Sequence, residues 1–340
     1  MNKVVIIAEA GVNHNGDIRL AKKLIDVASK AKVDFVKFQS FKANKLVSPS
    51  AKKAEYQIKN LKDKDDLQYE MLKKLELSEK DHRKLVSYCK TKNVKFFSTA
   101  FDVDGVAYLS SLNLEAFKVP SGELTNFPFL KAVAMTGLPV ILSTGMANLK
   151  EVGDSINVLI DHGTKKEELT VLHCNTDYPT PMSDVNLKAM LNIKKTFNVN
   201  VGYSDHTKGT EIAIAAVALG AKVIEKHFTL DRNLKGPDHK ASLEPKELKY
   251  MVDSIRNLEQ AMDGSEIKEP SKGETKNIHI ARKSIHLSKD LRAGSVINEE
   301  DIVPLRPGDG ICAMNWEKVL GKTLNNDAKK FYKLAWSDLS

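Results

Sequence analysis

Residues 199–227 open with Val199-Asn200-Val201-Gly202 and continue through Tyr203-Ser204-Asp205-His206. An apolar stretch then runs from Ala213 to Ala221, and Lys222-Val223-Ile224 leads into Glu225-Lys226-His227. A short β-branched run, a polar loop, a helix-length segment and a second short run make one β/α unit. The same pattern extends back to the N-terminus, with runs at Val4–Ala8, Phe35–Phe38, Val94–Phe97, Ala116–Val119, Val140–Leu142 and Thr170–Leu172. With Val199–Gly202 and Lys222–Ile224 that makes eight. Eight alternating units call for a parallel sheet, and eight is the number that closes a barrel.

The segments between the runs carry helical spacing, as in Ala21, Leu24, Ile25 and Ala28, or Val152, Ile156, Leu159 and Ile160. The last helix presents Leu248, Met251, Val252, Ile255 and Leu258 on one face. Boundary signals agree with these helices. Ser78 with Asp81 is an S-x-x-D start, Asn148 and Ser183 are suited to cap helix N-termini, and Gly137 and Gly163 follow helix ends. Residues 41–77 are too many for a plain connection and predict extra structure over one end of the barrel. The expected organisation is a (β/α)8 TIM barrel over 1–263, a polar linker over 264–280 containing Pro270 and Gly273, and a small second domain over 281–340.

Composition narrows the function classes. Hydrophobic residues at 42% and charged residues at 28% describe a chain with material for a core, not a disordered one. No apolar run approaches the roughly 18 residues of a membrane helix, and Val4–Ala8, which leads into Glu9, is too short for a signal-peptide core. Cys89, Cys174 and Cys312 are odd in number and unpatterned, which excludes a disulfide framework and a thiolate zinc site and fits a cytoplasmic protein. The net charge of +8 is spread along alternating stretches such as Lys62–Asp66 and Glu244–Lys249, read as solvated helix faces. With aromatics at 6% and no arginine-aromatic cluster, nucleic acid is not the expected partner; an anionic small substrate is.

Active sites of eight-stranded barrels lie at the C-terminal ends of the strands. The residues there are Glu9, Lys37 with Gln39, Ser98 with Thr99, Lys118 with Ser121 and Glu123, Ser143 with Thr144, His173 with Asn175, Ser204 with Asp205 and His206, and Glu225 with His227. Any one of them could be a structural salt bridge or cap. Polar or charged groups at all eight ends indicate an enzyme. Two lysines among several hydroxyls suit a phosphate and a carboxylate. His206 and His227 follow adjacent strands, so their imidazoles can share a divalent cation such as Mn2+, Mg2+ or Fe2+. Glu9, Glu123, Asp205, Glu225 and Asp238 supply carboxylates for proton transfer, hydroxyl recognition or support of the metal ligands.

These stretches together resemble the sialic acid synthase family along essentially the whole chain. The resemblance is carried by Ala8-Glu9-Ala10-Gly11-Val12-Asn13-His14-Asn15-Gly16, Val36-Lys37-Phe38-Gln39, Lys118-Val119-Pro120-Ser121-Gly122-Glu123 and Leu142-Ser143-Thr144-Gly145-Met146. It continues in His173-Cys174-Asn175-Thr176-Asp177-Tyr178-Pro179, Tyr203-Ser204-Asp205-His206-Thr207, Ile224-Glu225-Lys226-His227-Phe228-Thr229, Gly236-Pro237-Asp238-His239 and Arg306-Pro307-Gly308. The chain departs from the family at Ala100, where relatives usually have proline, and carries Asp177 where relatives vary.

The resemblance implies a barrel followed by an antifreeze-like (SAF) domain, and an enzyme that condenses phosphoenolpyruvate with an N-acylated mannosamine-type sugar and releases phosphate. It implies that Lys37, Thr99, Lys118, Ser121, Ser143 and Ser204 bind phosphoenolpyruvate. Glu9, Gln39, Asn175, Tyr178, Asp238 and Arg306 would contact the sugar. His206 and His227 would hold the metal, Mn2+ first and Mg2+ second, with Asp205 and Glu225 behind them; Glu9, Glu123, His206 and His227 would form the catalytic set. It further implies a domain-swapped homodimer in which Arg306 reaches the partner's barrel. The leading expectation for the product is N-acetylneuraminate from N-acetylmannosamine. The alternative is N,N′-diacetyllegionaminate from 2,4-diacetamido-2,4,6-trideoxymannose. Rivals from other classes are a non-enzymatic ice or carbohydrate binder and a Schiff-base aldolase using Lys37 or Lys118, which would need no metal.

Overall fold

The computed structural model describes residues 3–61 and 67–340, without the side chain of Lys59; the lysine and acid alternation at 62–66 therefore lies outside the described residues. Eight parallel strands close into a barrel in sequence order: β1 Val5–Gly11, β2 Phe35–Ser40, β3 Lys95–Ala100, β4 Phe117–Val119, β5 Val140–Ser143, β6 Leu169–Cys174, β7 Asn200–Asp205 and β8 Val223–His227. β8 pairs back onto β1 from Val5↔Val223 to Glu9↔His227. Each strand was legible as a run because it is buried on both faces. Most strands run past those runs, so several residues read as following a strand, Glu9 and His227 among them, are part of it.

Side chains alternate across a strand, and here the alternation sorts the barrel strands' side chains into two cores. One set points outward into the helix layer, with Ile6, Val36, Phe38, Phe117, Leu142, Val171, Val201 and Ile224 among its members. The other points into the lumen, where Ile7, Phe97, Ile141, Leu172 and Val223, with Phe35 and Ala116 against them, form an apolar floor. Gly202 belongs to that level because nothing larger fits: a Cβ there would stand 2.3 Å from the carbonyl oxygen of Val223 and 2.6 Å from Leu172 Cδ2.

The helices follow their capping signals with two exceptions. Ser78 caps helix Glu79–Thr91 and Asn148 with Glu151 forms a capping box at helix Leu149–Asp161. Gly137 and Gly163 have positive φ beyond their helix ends. Ser183 is not a cap. It lies in a 3-10 turn, Met182–Asp184, its hydroxyl donates to Asp184 Oδ1, and the helix starts only at Lys188. The second exception is the stretch expected to be linker. Ser271 and Glu274 form a capping box there and start helix Lys272–Ala281, none of whose residues is buried. That shortens the reach of the segment, since a helix advances about 1.5 Å per residue where an extended chain advances about 3.3 Å.

The described residues of 41–77 include helices Ala43–Leu46, Glu55–Leu61 and Gln68–Leu75, with a small core of Val12, Phe41, Ala43, Met71, Leu72 and Leu75. The chain divides into compact units 1–263 and 264–340. The second has its own core, Ile285, Leu287, Ile297, Ile302, Ile311, Val319, Leu324 and Leu334. It contains an antiparallel pair, β9 Ser284–Leu287 with β10 Ile302–Leu305. Among the described residues no helix is long and apolar enough to cross a membrane.

Candidate active site

Two residues beyond the apolar floor, each strand places its next lumen-facing side chain. The result is one ring: Glu9, Lys37, Thr99, Lys118, Ser143, Cys174, Ser204 and Glu225. All eight are buried. The contacts within it are dense. Lys37 Nζ lies 3.0 Å from Glu9 Oε2 and 3.5 Å from Glu225 Oε2, and it donates to Thr99 Oγ1 at 3.0 Å. Lys118 Nζ donates to Ser143 Oγ at 2.6 Å and lies 3.8 Å from Glu225 Oε1, which also accepts from Ser204 Oγ at 3.0 Å. Gln39, one step higher on β2, donates to Glu9 Oε1 at 3.1 Å.

Electrostatics separate the two carboxylates of the ring. Burial pushes both upward. At Glu225 the ammonium groups of Lys118 and Lys37, helped by His227 and His206, outweigh burial and hold the carboxyl well below its usual range. At Glu9 burial wins over Lys37, and the nearby Glu225 adds to it, so its pKa is raised. Lys37 stays protonated beyond its ordinary range because the two glutamates overcome burial, whereas burial dominates at Lys118 and lowers it.

The histidine pair stands beside the ring. The ring centroids of His206 and His227 are 5.3 Å apart, and Tyr178 packs on His206 at 4.1 Å and edge-on to His227 at 5.7 Å. His206 Nδ1 donates to the carbonyl of Asn175 at 2.5 Å, which fixes its tautomer and leaves Nε2 as an acceptor. His227 Nδ1 is buried without a hydrogen-bond partner among the described residues. Burial lowers His206 to about 4 and holds His227 well below its normal value, so both imidazoles are neutral at pH 7.

The remaining predicted residues divide into those the fold gathers here and those it does not. Ser121 accepts from the backbone N–H of Gly145 at 2.9 Å and lies 3.3 Å from Cys174 Sγ. That approach needs glycine, because a Cβ at Gly145 would be 2.5 Å from Thr176 and 2.9 Å from Ser121 Oγ. Glu123 is held by Asn126 Nδ2 at 2.6 Å and is raised by burial. Asp238 is buried and raised to about 7, by burial and then by the charge of Glu9. Asn175 donates to the carbonyl of Asp184 at 2.9 Å, with its own Oδ1 buried and unpartnered among the described residues. Of two cavities, of about 530 Å3 and about 840 Å3, Asp177 lines both and Tyr178 lines the second.

Asp205 corrects the sequence reading. It was expected behind the metal ligands; it bonds neither imidazole directly but points out of the lumen and pairs with Lys226, because it is one residue out of phase with Ser204. His173 likewise turns outward and bonds the carbonyl of Val185. Arg306 lies in the second unit, exposed, with Nε donating to the carbonyl of Ala281.

Three residues went unnoticed in the sequence. Cys174 is the ring member from β6, overlooked because a buried cysteine reads as a hydrophobe. Tyr56, on helix Glu55–Leu61, stacks on Tyr178 at 4.9 Å, and no periodicity in residues 41–77 singles it out. Lys226 was masked by the histidine that follows it.

Comparison with known proteins gives the setting for this ring. Residues 24–268 match the NeuB family, and residues 282–330 match the SAF domain. The chain belongs to the NeuB family. It is 53% identical over 97% of its length, and 98% of the relative's, to the N,N′-diacetyllegionaminic acid synthase of Campylobacter jejuni. It is 45% identical over 98% of its length, and 94% of the relative's, to the protein of the same name from Legionella pneumophila. Among solved structures, the N-acetylneuraminic acid synthetase of Leptospira borgpetersenii, in complex with citrate, superposes with a TM-score of 0.72 at 35% identity, covering 82% of this chain and 90% of that one. The resemblance to sialic acid synthases and the barrel-plus-SAF architecture hold, and the chain is an enzyme of the nonulosonic acid synthase type.

Proposed function

We propose that this enzyme condenses phosphoenolpyruvate with 2,4-diacetamido-2,4,6-trideoxymannose and water, giving N,N′-diacetyllegionaminate and phosphate. The observation that carries the sugar assignment is the full-length similarity to two proteins bearing the N,N′-diacetyllegionaminic acid synthase name, at 53% and 45% identity. It favours the alternative sugar over the leading expectation of N-acetylmannosamine. Support for phosphoenolpyruvate comes from the ring, where two lysines and the hydroxyls of Thr99, Ser143 and Ser204 converge on one level, with Ser121 just above. Point charges with hydroxyl donors suit a molecule that carries a phosphate and a carboxylate.

In this reading Lys37 and Lys118 bind the two anionic groups and fix the enol carbon toward the sugar aldehyde, so orientation supplies much of the rate. Asp238, poised near neutrality, and Glu123, raised by burial, are placed to exchange protons with the sugar hydroxyls and with the water that adds at C2 of phosphoenolpyruvate. Tyr178, Gln39, Asn175 and Glu9 form the polar and aromatic wall for the sugar.

The site fits a divalent cation. Two neutral imidazoles face each other, one with its tautomer fixed so that Nε2 can ligate and one with an orphaned buried nitrogen. No group of three or more His, Cys, Asp or Glu able to hold a metal is found among the described residues, so the remaining ligands would be substrate oxygens and water. Bound there, Mn2+ or Mg2+ would act as a Lewis acid on the aldehyde oxygen. We assign the active state to a homodimer in which the SAF domain completes the partner's site through Arg306. That reading rests on the family resemblance and on the exposed apolar side chains Met314, Phe331, Tyr332 and Trp336 of the second unit.

The test is direct. Purified enzyme with phosphoenolpyruvate, the diacetamido sugar and Mn2+ releases phosphate and yields a product of the condensation mass, and excess EDTA stops it. Absence of phosphate release with either mannosamine-type sugar rejects the reaction; full turnover in EDTA after verified metal removal rejects the metal.

A further inference from the structure

Asp205 and Lys226 form an ion pair on the outward face of the barrel, with both side chains at 0% exposure. They are register partners on β7 and β8, next to the lumen pair Ser204 and Glu225. Lys226 Nζ donates to Asp205 Oδ2 at 2.7 Å and to the carbonyl of Thr207 at 2.6 Å. The other oxygen, Asp205 Oδ1, accepts from Thr207 N and Thr207 Oγ1 at 2.9 and 2.8 Å. The residues on both sides of His206 are therefore fastened to the residue that precedes His227. Two further bonds complete the bracket: Thr180 N donates to the carbonyl of His206, and Leu243 N donates to the carbonyl of His227.

Neither side chain of the pair reaches the lumen. Burying two ions is costly, and an apolar pair of similar size commonly serves stability as well. What an apolar pair cannot supply is direction. Four directed bonds here fix two strand ends whose next residues are the imidazoles.

We propose that the Asp205–Lys226 pair is a positioning clamp that sets the separation and orientation of His206 and His227, and through them the affinity for a divalent cation. The clamp rests on the metal reading above for its effect on cation binding, though not for its effect on the two rings. It acts through the histidines, so it leaves phosphoenolpyruvate binding by Lys37 and Lys118 unchanged.

The test uses the full chain with Lys226→Met and with the apolar double replacement Asp205→Leu/Lys226→Met. Folding is followed by circular dichroism, Mn2+ and phosphoenolpyruvate affinity by calorimetry, and the imidazoles by 15N NMR of the metal-free protein. The clamp predicts Mn2+ affinity lower by at least about tenfold, the size of effect that groups behind metal ligands produce. It also predicts shifted His206 and His227 ring signals, unmoved His14 and His239 signals, and phosphoenolpyruvate affinity within about twofold of the parent. A folded double variant with parental Mn2+ affinity and unmoved His206 and His227 signals overturns it. If the apolar variants do not fold, Lys226→Arg and Asp205→Glu, which keep both charges and change only length, are expected to move the same two rings, and unmoved rings again overturn the clamp. If the parent itself binds no Mn2+, the metal reading falls and the ring signals alone decide the clamp.

Discussion

Lys37 Nζ sits 3.0 Å from Glu9 Oε2, an ion pair sealed inside the barrel lumen with both side chains almost wholly buried. The same ammonium also faces Glu225. Lys118 holds Glu225 more loosely, at 3.8 Å, and donates its closest bond to neutral Ser143. Replacing either lysine by Met is expected to raise the KM for phosphoenolpyruvate far more than that for the sugar. Lys37→Met also leaves the buried Glu9 without its cationic partner, so it should destabilise by about 3–5 kcal/mol, and Lys118→Met, whose contact with Glu225 is looser, by less. Steady-state kinetics with each substrate varied, together with urea unfolding, check both parts; equal effects on the two substrates would mean the lysines do not hold the anion.

The pKa of Asp238 gives a two-sided prediction. Its carboxyl is raised to about 7 in the folded chain against an ordinary value of 3.8. A carboxyl raised in the native state contributes stability below the unfolded value, and that contribution is lost as pH rises through the folded value. Asp238→Asn should therefore raise Tm at pH 8 and leave it unchanged at pH 4. If the group exchanges protons in the reaction, log kcat/KM has an inflection near pH 7 that the variant lacks. A parental profile in Asp238→Asn, on measurable residual activity, removes Asp238 from the chemistry.

Histidines set the acid limit. His14, His82 and His239 are held near 4 chiefly by burial, as is His206. Each is neutral when folded and takes a proton when unfolded below about 6.5. Their contribution is then constant above pH 6.5 and falls between about 6.5 and 4, by up to about 1.4 kcal/mol per pH unit for each such group. Denaturant unfolding from pH 8 to 4.5 measures this; His82→Phe should flatten the slope, and an unchanged slope would assign the acid limit to other groups.

Much of this was legible because parallel strands buried on both faces appear as β-branched runs. The lumen ring is then the polar residue two places beyond an apolar one, as Glu9 follows Ile7 and Lys37 follows Phe35. The reading failed where type and phase diverge. Asp205 looked like a partner for the histidines by proximity in sequence, whereas the pleat sends it to the other face. Cys174 took a ring position without a polar signal. Tyr56 reaches the site from a segment whose path only tertiary packing determines, and Ser183 lost its capping role to a turn that the local sequence does not announce.

The assignment of the SAF domain to a partner's barrel makes a prediction for mixed subunits. Arg306→Ala and His206→Ala proteins should each be inactive alone. Mixed under conditions that exchange subunits, they should recover part of the activity, since some barrels then receive both intact halves. A dead mixture with heterodimers shown to be present would place Arg306 in its own chain's service.

Which sugar the barrel accepts is measured by a competition. The enzyme is given N-acetylmannosamine and 2,4-diacetamido-2,4,6-trideoxymannose at equal, limiting concentrations, with saturating phosphoenolpyruvate and Mn2+. The two products are counted by mass, so their ratio is the ratio of kcat/KM values. N,N′-diacetyllegionaminate is expected in excess by at least about tenfold, the discrimination that about 1.4 kcal/mol of differential transition-state binding provides. Equal amounts, or an excess of N-acetylneuraminate, would contradict it.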